Sequence, residues 1–193
     1  RPTESRSLLI DAGAQCNGYA ADISRTYVNN SGNQCFTALV VGVDALQQRL
    51  VVELQANIEY ENLHTIAHLY IAELLADLDI IRVSPQEAVD LKLTNAFFPY
   101  GLGLLIGAQV HDRGGIFASP NGDMLPPLER NPFLRCTRTM DKSMACTIEP
   151  GVYFIPMLLK PWREKGNLIN PLLIDELLPY GGVRVEDLSL LII

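Results

Sequence analysis

Four acidic residues lie where strands are expected, and this constrains the chain more than any other feature of its sequence. Asp11 closes the apolar run "SLLIDAGA", Asp22 sits inside "YAADISRTY", Glu149 inside "CTIEPG" and Glu186 inside "VRVEDL". Acidic residues favour turns and helix faces. An ionised carboxylate within a sheet is costly unless it is paired, hydrogen-bonded or bound to a cation. Taken singly, each is accounted for by an edge position or by a partner among Arg25, Arg138 and Arg184. Taken together, four such residues in matching strand–turn settings point to one shared cation site. Carboxylate oxygens suit hard divalent ions such as Mg2+ and Mn2+. Two ions held about 3.5–4 Å apart need carboxylates that bridge them.

The surrounding pattern reads as α+β. Asn17–Gly18 is a strong hairpin signal within "CNGYAADISRTYV" (16–28). Apolar residues recur at helical spacing from Gln34 to about Ile58, and again from about Glu61 to Leu78. Between 97 and 155 short strand-like runs are broken by Gly and Pro. "PNGDMLPPLERNP" (120–132) reads as an exposed loop, and "MACTIEPGVYFI" (144–155) as two strands about a Pro–Gly break. "LINPLLIDELL" (168–178) predicts a short helix and "GGVRVEDLSLLII" (181–193) a terminal strand. A hairpin, a helix pair and then antiparallel strands make an α+β order.

Composition narrows the function classes. With 48% hydrophobic and 19% charged residues in 193, the chain can bury a sizeable core in one domain. A net charge of −7 argues against a nucleic-acid-binding surface, which would need a basic stripe, and gives no support to an anionic membrane as partner. No uninterrupted apolar run approaches the ~18 residues of a membrane span. Cys16, Cys35, Cys136 and Cys146 match no zinc spacing and read as free thiols, which predicts a reducing, cytoplasmic setting. The polar start "RPTESRS" has no signal-peptide character, and its lack of Met predicts a piece of something longer.

Other motifs weigh less. His64 and His68 share a helix face in "HTIAH", but Thr65 stands where a zincin motif needs Glu, and a packed or solvated pair is the simpler reading. Gly101, Gly103 and Gly107 follow neither Rossmann nor Walker spacing. Cys146 between Ala145 and Thr147 reads as a buried thiol. "FFPYGLGLLIG" (97–107), followed by "AQVHD", has the backbone of a loop that presents polar groups, yet carries Tyr100 and Leu104.

Five segments appear in one order: "LLIDAGAQCNGYAADISRTY", "FFPYGLGLLIGAQVHDRGG", "NPFLRCTRTMDKSMACTIEPGVYFI", "PWRE" and "PYGGVRVED". Together they closely resemble bacterial Xaa-Pro dipeptidases (prolidases), with the organophosphorus acid anhydrolases among them, of the pita-bread metallopeptidase superfamily. The resemblance runs from about residue 7 to the C-terminus. It implies a pita-bread domain without the family's N-terminal domain and without the start of the catalytic domain. It implies a dinuclear centre for a divalent metal, expected to be Mn2+, in which Asp11 holds the first metal, Asp22 and Glu186 bridge, and Glu149 holds the second metal and shuttles the proton. Arg184 would steady the cluster, and His111 would contact the substrate. Tyr100 and Trp162 would lie at the substrate pocket. Tyr100 and Leu104 stand where the family pattern has histidines, the second of them the only nitrogen ligand. The implied substrate is a dipeptide ending in Pro, with organophosphate esters as a side class, and the implied assembly is a homodimer. The alternative is a catalytically degenerate domain that binds a peptide or protein partner.

Overall fold

The computed structural model describes residues 5–29, 32–119 and 121–191. β1 (Ser7–Ala12) pairs antiparallel with β4 (Ile23–Val28), which sets Asp11 opposite Ser24. The short strands β2 (Gln15–Cys16) and β3 (Tyr19–Ala20) close this ribbon. Asn17 and Gly18 join them with φ of 51° and 85°, the two left-handed positions that a tight hairpin turn needs. The hairpin expected at Asn17–Gly18 is present. β1 has little cover, since Leu8, Leu9 and Ile10 are all exposed, as are Ile23 and Tyr27 on β4.

α1 (Gln34–Glu53) starts at Asn33, whose side chain accepts the N–H groups of Cys35 and Phe36. The helix is long and apolar enough, by length and composition alone, to cross a membrane. Phe36, Leu39, Val43, Leu46 and Leu50 nevertheless form one buried stripe, while Asp44, Gln48 and Arg49 face out together with Val41 and Val52. It ends before Ile58, because the chain turns at Asn57 (φ 72°), whose N–H bonds Met140 O at 2.8 Å. α2 (Tyr60–Asp77) packs beside it and buries Leu63, His64, Ala67, His68, Ile71 and Leu75.

Two helices lie where the sequence pattern assigned no element. α3 (Pro85–Asp90) and α4 (Pro156–Glu164) both carry Pro in their first turn, where its missing N–H costs nothing. Ser84 caps the first of them. β5 (Ala145–Ile148) pairs with β8 (Asp187–Leu190), and β6 (Gly151–Tyr153) with β7 (Gly182–Arg184). α5 (Pro171–Leu177) lies where the short helix was expected. The expected single terminal strand is therefore two strands. The chain bends between them at Val185–Glu186, and the bend is pinned by a bridge from Glu186 to Ser24. Residues 102–106 run beside β5, with Thr147 N–H on Leu104 O at 2.9 Å and Glu149 N–H on Leu102 O at 2.8 Å.

Candidate metal centre

Strand register brings the acidic residues together. Asp11 faces Ser24 across the β1–β4 ladder, Asp22 immediately precedes β4, and the bridge to Ser24 delivers Glu186. Carboxylate oxygens of Asp11, Asp22 and Glu186 all lie within 4.8 Å of one another. Ser24 is fully buried between them. Its Oγ donates to Glu186 Oε2 at 2.7 Å and accepts from Arg184 Nε at 3.0 Å. Arg184 also pairs with the Asp11 carboxylate. Arg25 clamps the bend, donating to Ser24 O at 2.9 Å, Glu186 O at 2.7 Å and Asp187 Oδ1 at 2.6 Å. With Oε2 so held, Glu186 Oε1 is buried and has no partner among the described residues.

The cluster opens into a cavity of about 580 Å³ that is also lined by Glu149, Arg184, His111, Tyr100, Leu104, Phe133 and Arg135. Glu149 accepts from Thr147 Oγ1 at 3.3 Å, and that hydroxyl accepts the Leu104 N–H at 3.1 Å. Gly103 is required by this packing, because a Cβ there would come within 2.2 Å of Thr147 O and Tyr60 Oη. Tyr100 stands edge-on to Tyr153 at 5.3 Å between ring centres. Leu104 is buried and offers no donor atom.

Burial pushes the Glu149 carboxyl up to about 8, helped by the charge of Glu186 and opposed by Arg184 and the Thr147 hydroxyl. Burial likewise raises Glu186, and burial followed by the Asp11 charge raises Asp22. Uncompensated negative charge is what a cation relieves. The oxygen donor set and the orphaned Glu186 Oε1 fit one hard divalent ion held by Asp11, Asp22 and Glu186. They do not fit an ion that needs nitrogen at residue 104. A stability test follows from the sign of the shifts. All three carboxyls are raised, so their contribution is complete below the ordinary carboxylate range and is lost as pH rises towards about 8. The melting temperature of the metal-free protein is expected to fall across that interval, and saturating Mn2+ to flatten the slope. A flat metal-free profile would contradict this.

Of the residues expected at the site, Asp11, Asp22 and Glu186 form the cluster, while Glu149, His111, Arg184 and Tyr100 line the same cavity. Glu149, expected as a metal ligand, stands beside the mutually close group rather than in it. Trp162 is not brought there. It sits on α4, half-buried against the hydrophobic core, with Lys165 Nζ 4.6 Å from its ring centre. Sequence reasoning missed Ser24, Thr147 and Arg135. The exposed guanidinium of Arg135 lines the cavity and pairs with no carboxylate among the described residues. Replacing Ser24 with Ala is expected to weaken Mn2+ binding about 10- to 100-fold, and Ser24→Thr to restore it. Titration followed by electron paramagnetic resonance reads both.

Comparisons with known proteins place the chain in a family. The model of metallopeptidase family M24 matches residues 3–192. The Xaa-Pro dipeptidase of Stenotrophomonas maltophilia (strain K279a) is 45% identical over 188 residues, and that of Xanthomonas campestris pv. campestris (strain B100) 46% identical. Each alignment covers 96% of this chain, and the chain spans 42% of the length of these curated relatives. Among solved structures, proline aminopeptidase P II from Yersinia pestis matches with a TM-score of 0.69 at 23% identity. A variant of Escherichia coli aminopeptidase P in complex with substrate matches with a TM-score of 0.68 at 22% identity. Both cover 94% of this chain and 35% of the other, and they show the pita-bread fold. With its carboxylate cluster, its fold and a family match along nearly its whole length, this chain belongs to metallopeptidase family M24.

Proposed function

We propose that the domain serves metal-dependent hydrolysis of dipeptides of the Xaa-Pro type. The observation that carries this reading is the convergence of Asp11, Asp22 and Glu186, with a Glu186 oxygen that has no partner among the described residues, in a cavity that Arg135 also lines. The relatives named Xaa-Pro dipeptidase support the substrate class. A bound divalent ion, Mn2+ in this proposal, supplies Lewis-acid activation of water and of the scissile carbonyl. The remaining chemistry is the chain's own. Glu149, with its raised affinity for a proton, suits the general base and acid that moves a proton from water to the leaving nitrogen. His111 donates to the oxygen that gains charge, and Arg184 keeps Asp11 oriented. Arg135 receives the C-terminal carboxylate of a dipeptide, and Tyr100 and Phe133 offer aromatic faces to an apolar ring.

The test is release of free Pro from Gly-Pro by this chain with added Mn2+. Mn2+-dependent release that Glu149→Gln abolishes supports the reading. Leu104 favours a second reading, in which the domain binds Xaa-Pro peptides without cleaving them. Tight peptide binding with no release by this chain, and release gained in a Leu104→His variant, would establish it.

A further inference from the structure

Away from the carboxylate cluster, α2 carries a second set of donor atoms. His64 and His68 lie one turn apart, 3% and 7% exposed, with their Nε2 atoms 3.3 Å apart. His68 Nδ1 lies 2.9 Å from Thr94 Oγ1. Phe98 covers both rings, at 5.4 Å from His64 and 5.2 Å from His68 between ring centres. His64 Nδ1 is buried without a hydrogen-bond partner among the described residues. Two neutral rings carry one proton each. If His68 donates through Nε2, His64 holds a stranded N–H at Nδ1; if His64 donates, it holds a stranded lone pair there. Neither tautomer satisfies the pair. Beside the rings is a void of about 30 Å³, bordered by Asn95, Tyr100, Asn131 and Arg130, the last paired with Glu61 at 3.0 Å. That exceeds the ~10–15 Å³ that one water needs.

We propose that His64 and His68 form a binding site for a borderline divalent transition ion of the Cu2+ or Zn2+ class, separate from the carboxylate centre. Imidazole nitrogen selects such ions, whereas oxygen clusters suit Mg2+ and Mn2+. Two nitrogens 3.3 Å apart, each about 2.0–2.1 Å from one ion, subtend an angle of about 107°, close to tetrahedral. Binding uses both Nε2 lone pairs and leaves each ring its single proton at Nδ1. The His68 Nδ1–H then donates to Thr94 Oγ1, the kind of orienting bond that metal-bound histidines have. The adjoining void gives room for the solvent that completes the coordination. Burial also holds both rings far below their ordinary titration range, so each is in the unprotonated form that ligates. The bond given up between the two Nε2 atoms is long for a hydrogen bond.

A consequence is practical. Metal content measured on the whole protein would sum a nitrogen-bound ion with whatever the carboxylates hold, and two equivalents would not by themselves mean two ions at one centre. The experiment titrates Cu2+ into the intact chain with Mg2+ saturating the carboxylates, and reads nitrogen couplings by electron paramagnetic resonance. His111 is the chain's only other histidine and can contribute one nitrogen at most. The expected result is a two-nitrogen pattern at one equivalent, lost in His68→Gln and kept in His111→Gln. An oxygen-only or single-nitrogen spectrum in the unmodified protein would overturn the proposal, as would a two-nitrogen pattern that survives His68→Gln. Should that variant misfold, the unmodified protein and His111→Gln still decide.

Discussion

Replacing Asp22 with Asn is expected to abolish tight Mn2+ binding while raising the melting temperature of the metal-free protein. Asp22 is one of three carboxylates whose oxygens lie within 4.8 Å of one another. Its burial and the adjacent Asp11 charge make its ionised form unfavourable when no cation is present. An amide of the same shape removes that repulsion and also removes an anionic ligand. A loss of at least ~100-fold in affinity, about 2.7 kcal/mol, is the scale to look for in calorimetric titration. The opposite signs separate a lost ligand from a misfolded domain, since a damaged fold lowers both quantities. A variant that melts earlier and still binds Mn2+ would remove Asp22 from the centre.

Leu104→His is expected to change the number of ions at the carboxylate centre from one to two. Leu104 lines the cavity with Glu149, and its backbone N–H shares the Thr147 hydroxyl with the Glu149 carboxylate. An imidazole at this position would add nitrogen beside Glu149, which now stands outside the close group. If that ligand contributes about 2–3 kcal/mol, a second ion gains roughly 30- to 150-fold in affinity. Spin-coupled Mn2+ pairs seen by electron paramagnetic resonance would register it, and this signal is blind to an ion held elsewhere. Unpaired Mn2+ alone in the variant would mean that Glu149 handles protons without ligating.

The carboxylates were legible in the sequence because charge beside short apolar runs is anomalous, although only Asp11 lies within a strand: Asp22 precedes β4, Glu149 follows β5 and Glu186 sits at the bend between β7 and β8. Ser24 and Thr147 were not, because a hydroxyl in a strand carries no signal until pairing shows what it faces. Ser24 matters only once Asp11 lies across from it and Glu186 is bridged to it. Arg135 resembled any surface arginine before the cavity formed around it. The helix pair was readable from its periodicity, although its first member ends earlier than the pattern, at the turn before Asn57. α3 and α4 were hidden because Pro85 and Pro156 read as breaks, whereas each opens a helix. The bend at Glu186 leaves a mark that was overlooked: the alternation of Val183–Val185 breaks at the adjacent Glu186 and Asp187 before apolar residues resume at Leu188.

Asp11 has a different standing from its two companions. Glu186 is locked into the core, but Asp11 rides on a strand whose apolar side chains face outward and which, among the described residues, pairs only with β4. Its one charged tether across the site is Arg184. Capturing a cation and ordering this ribbon are then one thermodynamic event. Amide hydrogens of Ser7–Ala12 are expected to exchange with solvent faster than those of β5 in the metal-free protein, and to slow most on adding Mn2+. Affinity at this centre would then depend on residues such as Leu8 and Ile10, which never touch the ion, through how often their strand lets go.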